Sequence, residues 1–196
     1  MQETQKTQET EKQNGLERRM EEQHLEECIR VIDGNIEEYM RQFKEISAET
    51  KELYDNYRSD NPELHNDLVI GLDMKSQIER TLNKNLMARK KPYFGRIDYR
   101  EVDDNTCYTL YLGKNGIRKN ITENIIIDWR APIASVYYDS DIGRSSYPTP
   151  VGDRIEIDLF KKRTYEIEDS ELIDFYDSDV VANDEFLRSI SVRTKR

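Results

Sequence analysis

The chain's scarcities exclude several classes of protein at once. Its two cysteines, Cys28 and Cys107, lie in unlike segments, so neither a disulfide framework nor a cysteine zinc site is spelled out. The two histidines, His24 and His65, offer no metal cluster. No apolar run approaches the length of a membrane span, and the opening MQETQKTQETEKQ is too polar for a secretory leader. A reducing cytoplasm with free thiols is the expectation. Glycine is scarce up to Lys91 and becomes regular punctuation after Pro92.

The chain is instead rich in charge. Hydrophobic and charged residues each make up 36% of its 196 positions, and mean hydropathy is -0.91. Twelve tyrosines and one tryptophan nonetheless require that part of it packs. The two facts are reconciled by uneven burial: an elongated, solvated part beside a smaller core. Net charge is -10, which disfavours nonspecific attraction to DNA or anionic lipid. Residues 1–67 hold 18 acidic and 9 basic side chains, whereas residues 68–91 hold 2 acidic and 6 basic. Two antiparallel segments of opposite sign would attract each other. The alternative is that Lys84, Arg89 and Lys90 form a strip that contacts DNA.

Hydrophobic spacing defines the first part. After a polar stretch, 1–15, expected to be frayed or disordered, Leu25 leads into Ile29, Ile32, Ile36, Tyr39, Phe43, Ile46, Thr50, Leu53 and Tyr57. Steps of three and four alternate without a break, giving the 3.5-residue period of a coiled-coil seam. At about 1.5 Å per residue, residues 29–57 would span roughly 43 Å. Ser59-Asp60-Asn61-Pro62 then supplies a capping residue type ahead of a proline suited to a helix start. A second stripe comes next in Leu64, Leu68, Leu72, Ile78, Leu82 and Leu86. A short turn between two such helices predicts an antiparallel hairpin over 1–91, with the longer first helix overhanging. That overhang either packs on the C-terminal part of the chain or frays.

From 92 to 196 the pattern predicts a small, mainly antiparallel β domain, so the fold class is α+β. Expected strands are 94–102, 106–112, 124–128, 134–138, 154–161, 164–167 and 171–175, the last three as a meander. Asp103-Asp104-Asn105 would turn the first hairpin, 139–152 would be a loop, and 183–192 a short helix capped by Asn183. The expected core is Phe94, Ile97, Leu110, Leu112, Ile125, Ile127, Trp129, Ile155, Ile157 and Leu159.

No catalytic constellation emerges. GLDMKS (71–76) lacks a P-loop's second glycine, and GKNGIRKN (113–120) lacks the following Ser or Thr. No serine elbow, Cys–His pair or two-histidine motif is spelled out. Two features remain. Asp55, Asp60, Glu63 and Asp67 gather near the hairpin turn. They read either as ordinary polarity favoured at a helix N-terminus or as carboxylates carried on an arm to a basic or metal-containing partner site. Asp60 and Glu63 could share a hard cation. The second feature is IIIDWRAPIASVYY (125–138), in which Trp129 would plug the core while Asp128, Arg130 and Pro132 fix a corner.

PYFGRIDY (92–99), IIDWRAPIASVYY (126–138), YPTPVG (147–152), KKRTYEI (161–167) and DEFL (184–187) together resemble the N-terminal region of the HelD family. These are bacterial superfamily 1 helicase-like ATPases related to UvrD and Rep that bind RNA polymerase. The resemblance is dense in motifs over 92–187, and over 1–91 it rests on the helical hairpin alone. It implies a coiled-coil arm on a globular base, the arm entering the polymerase secondary channel much as Gre factors do and helping to release stalled polymerase. It also implies that ATP and Mg belong to the parent protein's P-loop core, absent here, along with any nucleic-acid contact. Tyr93, Phe94, Gly95, Arg96, Asp98, Asp128, Trp129, Arg130 and Pro132 match the family motifs and read as structural. The chain is thus expected to be a non-catalytic, monomeric module without cofactor or membrane association. The alternatives are a DNA-contacting accessory domain and a dimerisation coiled coil.

Overall fold

The computed structural model describes residues 2–57, 62–103 and 106–178, and over these the chain is α+β. It divides into two compact units, Met1–Pro92 and Tyr93–Arg196. The first holds α1 (Gln2–Asn56) and α2 (Pro62–Lys90). Residues 2–15 are helical rather than frayed. They contain good helix formers, and extending an existing helix needs no new nucleus.

The two helices run antiparallel. Asp33 meets Arg89, Asn35 meets Asn85, Lys75 lies over the Phe43 ring, and Tyr57 faces His65. The α1 seam matches the expected spacing up to Leu53: Ile32 and Thr50 are buried, and Ile29, Ile36, Tyr39, Phe43, Ile46 and Leu53 are half-buried. Tyr57, the last expected position, is exposed just past the helix end. The α2 seam departs from the expected stripe. Leu64, Leu68, Ile78 and Leu82 face inward, but Leu72 and Leu86 are exposed. Continuing from Leu68 at the 3.5-residue period reaches Gly71, Lys75, Ile78, Leu82 and Asn85, which therefore occupy the seam. Gly71 lets the helices approach closely there: a Cβ would sit 3.1 Å from Thr50 Oγ1, a tight contact that Thr50 would have to relieve by a few tenths of an ångström. The capping stretch 59–61 lies outside the described residues.

The second unit is built on a seven-stranded sheet. Its elements are β1 (Gly95–Glu101), β2 (Cys107–Gly113), β3 (Ile117–Arg118), β4 (Asn124–Asp128), a 3₁₀ turn (Pro132–Ala134), α3 (Ser135–Asp139), β5 (Gly143–Pro148), β6 (Arg154–Glu168) and β7 (Glu171–Asp177). The strand order is β3-β4-β2-β1-β6-β5, with β7 also on β6, and every pairing is antiparallel except β2–β4. Ile97, Tyr99, Leu112, Ala134, Val136, Tyr137, Ile157 and Leu159 form the buried cluster.

Four expectations are corrected here. Residues 134–138 are helical, not a strand: Pro132 opens the 3₁₀ turn, Ser135 Oγ donates to Pro132 O at 2.7 Å, and the helix turns Val136 and Tyr137 inward. The predicted loop 139–152 contains β5, which runs along β6 from Gly143–Leu159 to Pro148–Arg154. The expected meander is a two-strand hairpin, because β6 continues through 162–163 while paired with β1. Trp129 is 49% exposed and plugs nothing, and it is Ile127, two positions earlier, that packs against the buried cluster. Strand β3 was not expected. The turn residues Asp104 and Asn105, and the helix expected at 183–192, lie outside the described residues.

The β6–β7 turn is tight. Asp169 and Ser170 both have positive φ, 45° and 73°, the two-residue geometry that matches strand twist and normally selects Asn-Gly.

Candidate functional site

The hairpin turn is framed by the end of α1 and the start of α2. Asn56 Nδ2 donates to Glu52 O at 2.9 Å, and Tyr57 N donates to Tyr54 O at 3.1 Å, closing α1. On the far side of the turn, the His65 ring lies 5.8 Å from that of Tyr57. Asp55, Glu63 and Asp67 are all exposed here, and Asp60 lies outside the described residues. Glu63 occupies the first turn of α2, where the helix dipole favours an acid. Asp55 occupies the last turn of α1, where the dipole opposes one, and no basic residue shares that turn. Helix electrostatics therefore account for Glu63 but not for Asp55. Among the described residues, no three His, Cys, Asp or Glu side chains gather as a metal site.

Two further groups lie in the hairpin, one expected from its charge pattern and one not. The opposite charges of the helices meet at Arg89, whose Nε donates to Asp33 Oδ1 at 2.6 Å and whose Nη2 donates to Oδ2 at 3.3 Å. One cation of the basic strip is thus engaged within the hairpin. The sequence spelled out no Cys–His pair, yet helical i,i+4 spacing brings Cys28 Sγ to 3.3 Å from His24 Nε2. Burial, aided by the charge of Glu27, pushes the Cys28 thiol up to about 12. It is a neutral thiol at physiological pH and no nucleophile.

The motif residues of the second unit converge on its core. A Cβ on Gly95 would lie 2.8 Å from the Tyr137 ring, so Tyr137 fits only against a glycine. Phe94 packs edge-on to Tyr137 at 5.8 Å, and the Tyr137 and Thr164 hydroxyls are 2.6 Å apart. Tyr93 meets Tyr111 at 4.8 Å and Tyr165 at 5.0 Å. Arg96 donates to both Asp98 oxygens at 2.8 Å and lies over the Tyr111 ring. Burial works against its charge, and the Asp98 hydrogen bond more than compensates, so the guanidinium stays ionised. The two motif stretches, 92–99 and 126–138, are therefore in direct contact.

The corner at the end of β4 has a different character. Arg130 Nε and Nη2 donate to Asp128 at 2.8 and 2.6 Å, and Arg130 N donates to the same carboxylate at 2.9 Å. The Arg130 side-chain bond, opposed by desolvation and helped by the backbone N–H, lowers the Asp128 pKa to about 2. Trp129 N donates to Gly113 O at 3.0 Å while its indole stays half in solvent. Two features had no counterpart in the sequence reading. One is Arg163, 2% exposed, paired with Asp177 and lying over Phe175 at 4.2 Å. The other is the set of exposed apolar side chains on α2, which the expected seam had partly absorbed.

Comparison with known proteins agrees with the motifs. No curated protein matches. Among solved structures, one titled as the transcription factor Gfh1 is 14% identical, covering 67% of this chain and 90% of that one, with a TM-score of 0.29. The crystal structure of Thermus aquaticus Gfh1 is 13% identical with the same coverages and a TM-score of 0.27. Likeness that faint carries no argument. The family described as DNA helicase IV HelD, N-terminal domain, matches residues 18–189, which takes in both the hairpin and the sheet. This chain belongs to the HelD N-terminal domain family.

Proposed function

We propose that the chain is a non-catalytic docking module of a HelD-like helicase/ATPase, acting in the cytoplasm as a monomer. Its hairpin enters the secondary channel of RNA polymerase, with Asp55, Asp60, Glu63 and Asp67 leading, and helps to release or recycle stalled polymerase. ATP and Mg are used by the parent protein's ATPase core. Family membership and the hairpin support this reading. The observation that carries it is Asp55, an acid held at the helix end that disfavours it, beside further acids across the turn. Such a placement costs about 0.3–1 kcal/mol in the free hairpin and is offset where the tip meets positive charge.

The test is binding of purified RNA polymerase by three proteins. They are the intact chain, a chain with residues 47–75 replaced by a short glycine-serine linker, and the variant Asp55→Asn/Asp60→Asn/Glu63→Gln/Asp67→Asn. The intact chain is expected to bind, the shortened chain to lose binding, and the neutralised tip to bind at least about fivefold more weakly. Equal binding by all three overturns the reading.

A further inference from the structure

About two turns of α2 are apolar on nearly every side. In Leu68–Met74 the seam consumes Leu68 and Gly71. Four large apolar residues remain, Val69, Ile70, Leu72 and Met74, and each is 49–57% exposed. Helical geometry of about 100° per residue sets Val69 and Leu72 on one flank of the hairpin and Ile70 and Met74 on the other. Asp73 alone points directly away from α1. A helix apolar around most of its circumference is one that other material surrounds, and α1 covers only the seam side.

Charge narrows what that material is. Over 47–57 and 62–75 the described hairpin carries six carboxylates, Glu49, Glu52, Asp55, Glu63, Asp67 and Asp73, against Lys51 and Lys75. Anionic lipid and nucleic acid are repelled by such a surface. A second copy would bring the same negative charge to the contact. The complement is a protein surface with apolar walls and a basic rim.

We infer that Val69, Leu72, Ile70 and Met74 are the adhesive band of the arm, gripped on both flanks by an apolar-walled, basic-rimmed cleft of the polymerase. The inference rests on the docking reading and adds where the affinity resides. The tip carboxylates steer and orient, whereas the band behind them supplies the buried area.

The experiment measures affinity of the full chain for purified RNA polymerase. It compares the wild type with Val69→Ser/Leu72→Ser and Ile70→Ser/Met74→Ser, each checked by circular dichroism. Each pair is expected to weaken binding at least about tenfold. Because a variant could lose affinity through a softened helix, amide exchange of the wild type is measured as well. Residues 68–74 should gain protection in the complex beyond that of the free hairpin. If the wild type binds while both variants bind as tightly as it does, or 68–74 gains no protection, the inference fails and the docking reading stands. Loss on one flank only shows a flat contact and overturns the enclosing cleft. A concentration-dependent dimer in light scattering, abolished by either pair, assigns the band to a second copy and overturns it too. No binding by the wild type overturns both readings.

Discussion

The hairpin and the sheet spend their apolar residues in opposite ways. In the hairpin, the α2 seam runs through Gly71, Lys75 and Asn85 while Val69, Ile70, Leu72 and Met74 face water. In the sheet unit even an arginine, Arg163, is enclosed, and Tyr93, Tyr99, Tyr111, Tyr137 and Tyr165 are buried. The sheet unit closes around a core, with Ile121, Trp129, Val151 and Phe160 left outside it. The hairpin is zipped along one narrow line, with polar groups such as Asn35 and Asn85 fixing its register, a use of seam polarity that lowers stability and raises specificity. A part that holds together through so thin a contact keeps its remaining surface available for something else.

The sharpest way to break this contrast is one chemical change made in both regions. Ile97→Ala deletes a side chain that is fully buried in the sheet and should cost about 2–5 kcal/mol. Ile46→Ala removes a half-buried seam residue and should cost roughly half as much or less. Urea unfolding monitored by Trp129 fluorescence and by helical circular dichroism reads the two. Equal losses would erase the distinction.

A smaller effect is expected from charge. Burial raises the pKa of Asp177, yet the hydrogen bond and charge of Arg163, joined by Lys161, bring it below the ordinary carboxylate value. A carboxylate depressed in the folded state contributes stability that is complete above its unfolded pKa of about 3.9 and is lost as pH falls through the folded value. Asp128, held down to about 2, acts in the same direction. Stability of the sheet unit should therefore fall between about pH 4 and pH 2. Asp177→Asn should flatten that fall and cost about 1–2 kcal/mol at pH 7. This is less than a fully buried pair would lose, since the Asp177 side chain is 36% exposed. A pH profile unchanged by the substitution would remove this pair from the account.

The smallest effects are gains. A Cβ on Gly34 meets nothing within 4 Å, so Gly34→Ala should stabilise the hairpin by about 0.5–1 kcal/mol. Ser170→Gly relieves a positive φ in the β6–β7 turn and should stabilise the sheet unit by about 1 kcal/mol. Thermal unfolding measures both, and a loss in either case contradicts the local geometry.

How much of this was legible depended on whether the signal was local. The α1 seam was readable over most of its length because its period is set by one helix against one partner, although Cys28 is more deeply buried than Ile29 and Tyr57 is exposed. Leu72 and Leu86 misled because leucine identity outweighed spacing. The period itself pointed to Gly71 and Asn85. In the sheet, alternation gave the start of the first hairpin, and a continuous apolar run gave Asn124–Asp128. Strand β5 was not, because its glycine, serine and proline content reads as loop and only pairing with β6 makes it a strand. Ser135–Asp139 is short and rich in valine and tyrosine, which favour strands, and the helical clue lies outside it, in Pro132. Trp129 was assigned to the core on size alone. For the site, the acids at the turn were visible in sequence, but the exposure of the band behind them needed the register of the hairpin.

The closeness of Gly95 to Tyr137 has a consequence for inheritance. Two stretches some forty positions apart are fitted to each other at a single point where there is room for a hydrogen and nothing larger. Recombination between distant relatives could exchange the helical arm wholesale and leave that fit untouched. A crossover between residues 95 and 137 would set a new neighbour against an old ring, and lineages should keep both halves together or change both.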